Sequence, residues 1–194
     1  MTKTATPLAL IWRAISAGDI AQATKLLAEH PSQIDARIPF GGGTLLHLAA
    51  SKQSPEMISA LITVGFDIDK PSSVDGHTAL MVACTYGNHQ IAEYLLDQGA
   101  MIDTSDPSRN PLFGAVIGQS MEAVELLLER QIDVEVRYNG PSMKDMDAIS
   151  FALERGEGAI AARIADHIAG GDKALAESLL ERAMNIASLN NTQR

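Results

Sequence analysis

The chain repeats itself. Strings of like pattern begin at Thr44, Thr78, Asn110 and Asp147, separated by 34, 32 and 37 residues, and a fainter one begins at Ala9. A period of that size marks supersecondary units that cannot bury their apolar faces alone, so neighbouring units must stack. The chain is therefore a solenoid before any single residue is interpreted. The second unit opens with Thr44, Leu45, Leu46, His47, Leu48, Ala49 and Ala50, and the third has Asp75, Gly76, His77, Thr78, Ala79, Leu80, Met81, Val82 and Ala83. Each runs on to a second apolar stretch at helical spacing.

In the third unit that stretch is Ile91, Ala92, Glu93, Tyr94, Leu95, Leu96, Asp97, Gln98, Gly99, Ala100, Met101, Ile102 and Asp103. The fourth repeats it from Ala123, Val124, Glu125, Leu126, Leu127 and Leu128 through Ile132, Asp133, Val134 and Glu135. Together these strings resemble the ankyrin repeat, whose pattern is T-P-L-H-x-A, a glycine, then V-V-x-L-L-x-x-G-A-x-V-N. The resemblance implies an all-α solenoid of about five helix-turn-helix repeats, at 7–39, 40–73, 74–105, 106–139 and 140–170, with a capping helix at 172–188.

The end units keep the spacing and lose the letters. The fifth has Ile149, Ala152 and Gly156 in the Leu, Ala and Gly slots with Ser150 for His; the first has Ile11, Ala14 and Gly18 with Trp12 for His. Thr6, Pro7 and Leu8 lie three residues out of register with Gly18 and read as a decoy. Degenerate ends follow from a terminal repeat having one neighbour. The cap is expected to start at Asp172 as N-cap and to bury Leu175, Leu179, Leu180, Ala183 and Ile186. Gly87 and Gly99 stand where the helical turns call for positive φ.

At 194 residues and 46% apolar content, with no Pro/Gly/Ser-rich linker, the chain reads as one domain, 1–194. The single cysteine, Cys84, excludes an internal disulfide framework, and the opening residues lack the apolar core of a secretion signal. No apolar run approaches the roughly 20 residues that cross a bilayer, so a reducing cytoplasm is the expected location and no membrane is expected as partner. A net charge of −9 argues against nucleic acid, which is bound by clustered Lys and Arg. The acid falls on second helices, as Glu29, Glu56, Glu93, Asp97, Glu122, Glu125, Glu129 and Asp166 against Lys25, Arg130 and Arg163. It is either a solubilising face or a field that draws in a basic partner.

Enzyme chemistry finds no constellation. In the resembled family the histidine at the His47 slot fixes the turn. His77 and His89 have no ligand at zinc spacing, Cys84 sits in a small-residue slot, and Asp166 and His167 point in different directions on one helix. The expectation is a non-catalytic chain without metal or cofactor. The resemblance instead implies binding through turn tips and the exposed face of first helices, which line a concave groove. The tips contribute Phe40, Val74, Asp75, His77, Asp106, Arg109, Met143, Lys144 and Met146; the first helices contribute Ser51, Lys52, Thr85, Tyr86, Ile117, Glu154 and Arg155. Large side chains at Phe40, Tyr86, Met143 and Met146 suit an interface centre, or cover the neighbouring unit. The surplus in the 37-residue spacing, around 138–146, is either an enlarged finger or a neutral loop insertion. Short free-standing chains of this family resemble bacterial immunity proteins that neutralise a toxin. The expected function is thus inhibition of a protein partner by a chain that is monomeric in isolation, with a scaffold or regulatory subunit as the alternative.

Overall fold

The computed structural model describes residues 5–39, 41–52, 54–141 and 143–191. Within them the chain forms eleven α-helices and one two-stranded sheet, and its contacts divide it into two compact units, residues 1–101 and 102–194. Among the described residues no helix is long and apolar enough to cross a membrane.

The first unit holds three helix pairs: α1 (Pro7–Ser16) with α2 (Ile20–Glu29), α3 (Leu45–Lys52) with α4 (Pro55–Thr63), and α5 (Ala79–Thr85) with α6 (His89–Asp97). Short polar side chains start most of these helices by accepting an orphan N–H of the first turn. Asp19 accepts from Gln22, Ser54 from Met57 and Thr78 from Met81, and proline occupies the first turn of α1 and α4. First helices pack on first helices, α1 on α3 and α3 on α5, and second on second, α2 on α4 and α4 on α6. Ala49 and Ala83 are fully buried where these helices approach, and Leu45, Leu61 and Leu95 fill the space between. Each such leucine contributes about 1.5–3 kcal/mol by burial. Polar ties also cross from repeat to repeat: Asn88 Nδ2 donates to the Ala50 carbonyl at 3.0 Å, and Met101 N–H to Asp69 at 2.9 Å.

Thr6, Pro7 and Leu8 lie outside the repeat register, as the sequence indicates, yet Thr6 caps α1. Its hydroxyl accepts from Ala9 N–H at 3.3 Å and Pro7 is the first helical residue, so α1 has ten residues where α5 has seven. The turn glycine, Gly18 at φ 71°, keeps the repeat register, with Ile11 and Ala14 buried as that register requires. The first repeat has gained a helical turn at its start.

The second unit holds α7 (Pro111–Ile117), α8 (Met121–Glu129), β1 (Tyr138–Gly140), β2 (Met143–Met146), α9 (Ala148–Glu154), α10 (Gly158–Ala169) and α11 (Lys173–Asn191). α7 packs on α9, α8 on α10, and α11 covers both helices of the last pair. The rings of Phe113 and Phe151 stack at 4.4 Å, nearly parallel at 8°. Its fourth repeat turns on Gln119 (φ 54°) and Gln131 (φ 59°), non-glycine residues in the left-handed region that glycine fills elsewhere.

The all-α solenoid holds, with one local addition in the surplus region. There β1 and β2 pair antiparallel, Tyr138 with Met146 and Gly140 with Met143. Tyr138 turns inward, its ring edge-on to Phe113 at 5.2 Å, its hydroxyl donating to the Thr104 carbonyl at 2.7 Å and receiving Asn110 Nδ2 at 2.9 Å. The hairpin is anchored to the cap: Asn190 accepts Lys144 N–H at 2.8 Å and donates to the Lys144 carbonyl at 3.1 Å.

The cap starts as expected, with Asp172 accepting Leu175 N–H at 3.1 Å, but runs to Asn191 and, of the expected stripe, fully buries only Ala183. Ala176, Ala183, Ala187 and Asn190 face inward, Leu179, Leu180 and Ile186 are half-buried flanks, and Leu175 is 44% exposed. Small residues let α11 lie close on α9 and α10, which a central stripe of leucines would prevent.

Candidate functional site

The turns that enter repeats two and three are tied by polar groups already at their partners. In the turn before α5, Ser72 N–H donates to the His77 carbonyl at 2.8 Å, the Ser72 hydroxyl bonds Asp75, and His77 N–H donates to Asp75 Oδ1 at 3.1 Å. The His77 ring lies 3.4 Å from the same carboxylate. Burial alone would raise the Asp75 pKa, but the Ser72 hydroxyl, the His77 N–H and the His77 ring outweigh it and hold the carboxyl below its ordinary value. Across the turns, Ser73 N–H donates to the Gly42 carbonyl at 3.0 Å, and Arg37 donates to the carbonyls of Gly42 and Pro71 at 3.1 and 2.6 Å.

His47 locks this network. Its Nδ1 lies 3.0 Å from both the N–H and the hydroxyl of Thr44, and Nε2 lies 2.8 Å from the His77 carbonyl. Because a backbone N–H can only donate, Nδ1 carries the lone pair and the ring proton sits on Nε2, donating to His77. Burial lowers the pKa of His47, partly opposed by that carbonyl bond, so the ring works neutral. A Cβ on Gly43 would come within 2.9 Å of the imidazole, which explains a glycine immediately before Thr44.

Beside this network is an open cleft of about 310 Å³. It brings together five of the sequence-selected residues: Ser51, Lys52, Asp75, His77 and Tyr86. Tyr86 is 61% exposed and Lys52 is exposed, so both present their side chains outward. The Ser51 hydroxyl is engaged by the Leu48 carbonyl at 2.8 Å. Thr85 likewise donates to Met81 at 2.8 Å, outside the lining, and Val74 stands 76% exposed at its tip. Phe40 lies outside the described residues. The sequence reading missed the aliphatic floor, Ile38, Leu48 and Val82, all half-buried. Leu48 and Val82 hold the same repeat slot, one turn ahead of Lys52 and Tyr86 and on their face, which is the signal that would have found them.

In the second unit the candidates are more varied. Asp106 is half-buried and accepts from the Ser108 hydroxyl and N–H at 2.6 and 2.8 Å, which lower its pKa. Arg109 pairs with Asp103 at 3.2 Å, Ile117 is 39% exposed, and Met143 and Glu154 are half-buried. Lys144 is exposed while its backbone is held by Asn190. Arg155 stands 5.2 Å over the Phe151 ring, so it serves packing as well as surface. Met146 is corrected: it is fully buried, because strand alternation puts it on the inward side with Tyr138, and it leaves the exposed set.

Cys84 is buried and its thiol is pushed up to about 12 by burial, the opposite of an activated nucleophile. Among the described residues no group of three or more His, Cys, Asp or Glu side chains is placed to hold a metal ion. On the second helices, Glu125 is gripped by Arg163 through two bonds of 2.6 and 2.7 Å, which lower its pKa and remove it from the free acidic field.

Against known families, the model for ankyrin repeats (3 copies) matches residues 10–106 and 46–138. Among curated proteins, the chain is similar to ankyrin repeat and SAM domain-containing protein 6 of Mus musculus, 36% identical over 90 residues that cover 46% of this chain and 10% of that one. It is similar to a putative ankyrin repeat protein of Rickettsia felis, 30% identical over 100 residues covering 50% and 44%. A glycerophosphocholine phosphodiesterase, GDE1 of Eremothecium gossypii, is 31% identical over 114 residues, 54% of this chain and 9% of that enzyme. The chain thus matches less than half the length of each of these relatives, and ankyrin repeats are in general a non-catalytic protein-interaction fold. With helix pairs stacked at the repeat period and a turn histidine bonding the next repeat, the chain belongs to the ankyrin repeat proteins.

Proposed function

We propose that this chain acts by docking a partner protein in the cleft between repeats two and three, with Tyr86 and Lys52 as its main contacts. The observation that carries this is the cleft itself, where an exposed aromatic and an exposed cation rise beside an aliphatic floor. Its polar wall of Ser72, Asp75 and His77 is already ordered, so binding need not fix it. A pre-ordered surface suits tight occlusion, and the specific form we propose is inhibition, as by an immunity protein toward a bacterial toxin, by a monomer in the cytoplasm. The second reading, a scaffold or regulatory subunit, is favoured by relatives in which the matched segment is part of a larger protein.

Capture from the native cell followed by mass spectrometry identifies the partner, and titration then tests the cleft. Tyr86→Ala with Lys52→Glu should weaken binding by about 2 kcal/mol or more, with stability within about 0.5 kcal/mol of the parent. Glu129→Lys, on the exposed side of α8, is the control and should leave dissociation unchanged. Normal binding by the double variant would remove the cleft from the interface. A partner whose activity survives saturation with this chain would exclude inhibition and leave the scaffold reading.

A further inference from the structure

We propose that the first unit carries a second binding surface, between α4 and α6, that seats an arginine side chain from a basic segment of a protein partner. It lies on the second helices, whereas the cleft above is built on first helices and turns, so it stands or falls separately. The space is an open cleft of about 500 Å³ lined by Pro55, Glu56, Ser59 and Ala60 from α4 and by Tyr94 from α6. Glu56, Ser59 and Ala60 are spaced i, i+3, i+4 and therefore share one helix face. Ser59 and Ala60 are too short to cover the ring opposite, which is why the half-buried Tyr94 forms a wall of the cleft.

The charge of the surroundings selects the occupant. The second helices of this unit carry Glu29, Glu56, Glu93 and Asp97 against the single cation Lys25, and Asp97 lies one turn beyond Tyr94 on its own face. The Glu56 carboxylate is exposed and kept ionised by the Ser54 hydroxyl, which lowers its pKa. An aromatic ring and a carboxylate lining one cleft, in a negative field, are complementary to a flat cation. Guanidinium meets both at once, layering on the ring while its N–H fork engages the carboxylate. A lysine ammonium supplies the charge without the plane or the fork, so the seat discriminates between the two.

The test is a titration of the full chain with acetyl-Gly-Arg-Gly-amide and acetyl-Gly-Lys-Gly-amide at matched ionic strength, followed by backbone amide NMR. The arginine peptide should move amides at 55–60 and 93–97 along a saturating curve, at least threefold tighter than the lysine peptide. Glu56→Gln, an exposed change that leaves the fold alone, should weaken it at least threefold. Tyr94→Leu should do the same, Tyr94→Phe should retain binding, and Glu29→Gln on α2 should have no effect. Equal responses to the two peptides, or indifference to both Glu56→Gln and Tyr94→Leu, would reduce the surface to a diffuse acidic field and overturn the proposal. Shifts at the same amides driven by protein concentration alone would overturn it too, in favour of a second copy of this chain.

Discussion

One imidazole joins two turns, and its protonation state is a stability term. Burial lowers the pKa of His47, so the folded chain holds that proton less well than the unfolded chain, whose value is about 6.5. The stability His47 confers is therefore complete above about pH 6.5 and declines as pH falls through that value toward the folded pKa, levelling below it. Chemical denaturation from pH 7.5 to 5 should show this loss, and His47→Ala should flatten it. At pH 7.5 the same variant should cost about 1–3 kcal/mol, because Thr44 N–H loses its partner and the His77 carbonyl keeps only the Ser72 N–H. Asp75, Asp103 and Asp106 have lowered pKa values, so their contributions are present above about pH 4 and are lost only below it, clear of the His47 window. If the pH 5–7.5 slope survives in His47→Ala, another group is responsible. The role of His47 follows from its slot in the repeat, whereas its carbonyl partner, thirty residues on, emerges only when the repeats are stacked.

Elements built on the repeat template were legible in the sequence, and those built outside it were not. Thr78, Asn110 and Asp147 cap their helices where the period puts them, because cap and period report the same turn of chain. The hairpin at 138–146 has no counterpart in the template, so Met146 reads as a tip and is in fact buried by strand alternation. The α11 stripe misleads because apolar periodicity marks the leucines, while close approach to α9 and α10 selects the alanines beside them. Asn190 links both surprises. Its amide completes the open edge of β2 at Lys144 and is itself 3% exposed, so neither backbone group is left unpaired there. Asn190→Ala should destabilise the chain by about 1–3 kcal/mol. Hydrogen exchange should accelerate at 143–146 and in the last turn of α11 together. Faster exchange in α11 alone would mean that the hairpin is held by Tyr138 and Met146 without help from the cap.

At the scale of the whole molecule, the repeat architecture makes a claim about cooperativity. Contacts divide the chain after residue 101, yet the same helix-pair plan runs on both sides of that division, and in such arrays stability is a sum of repeat and nearest-neighbour terms. We infer that the five repeats and the cap unfold as one domain. Leu95 in the first unit and Leu127 in the second are both fully buried, so each replacement by alanine should cost about 2–5 kcal/mol through lost burial and a residual cavity. Trp12, the only tryptophan, reports the first unit by fluorescence, and amide exchange in α10 and α11 reports the second. For one domain, Leu127→Ala should shift the Trp12 transition to lower denaturant, and Leu95→Ala should raise global exchange in α10, since each reporter then follows a change made in the other unit. Two independent units would respond locally: Leu127→Ala would leave the Trp12 midpoint where it was while α10 lost protection. That outcome would divide the chain into two folding bodies, and any partner spanning both would then have to fix their arrangement on binding.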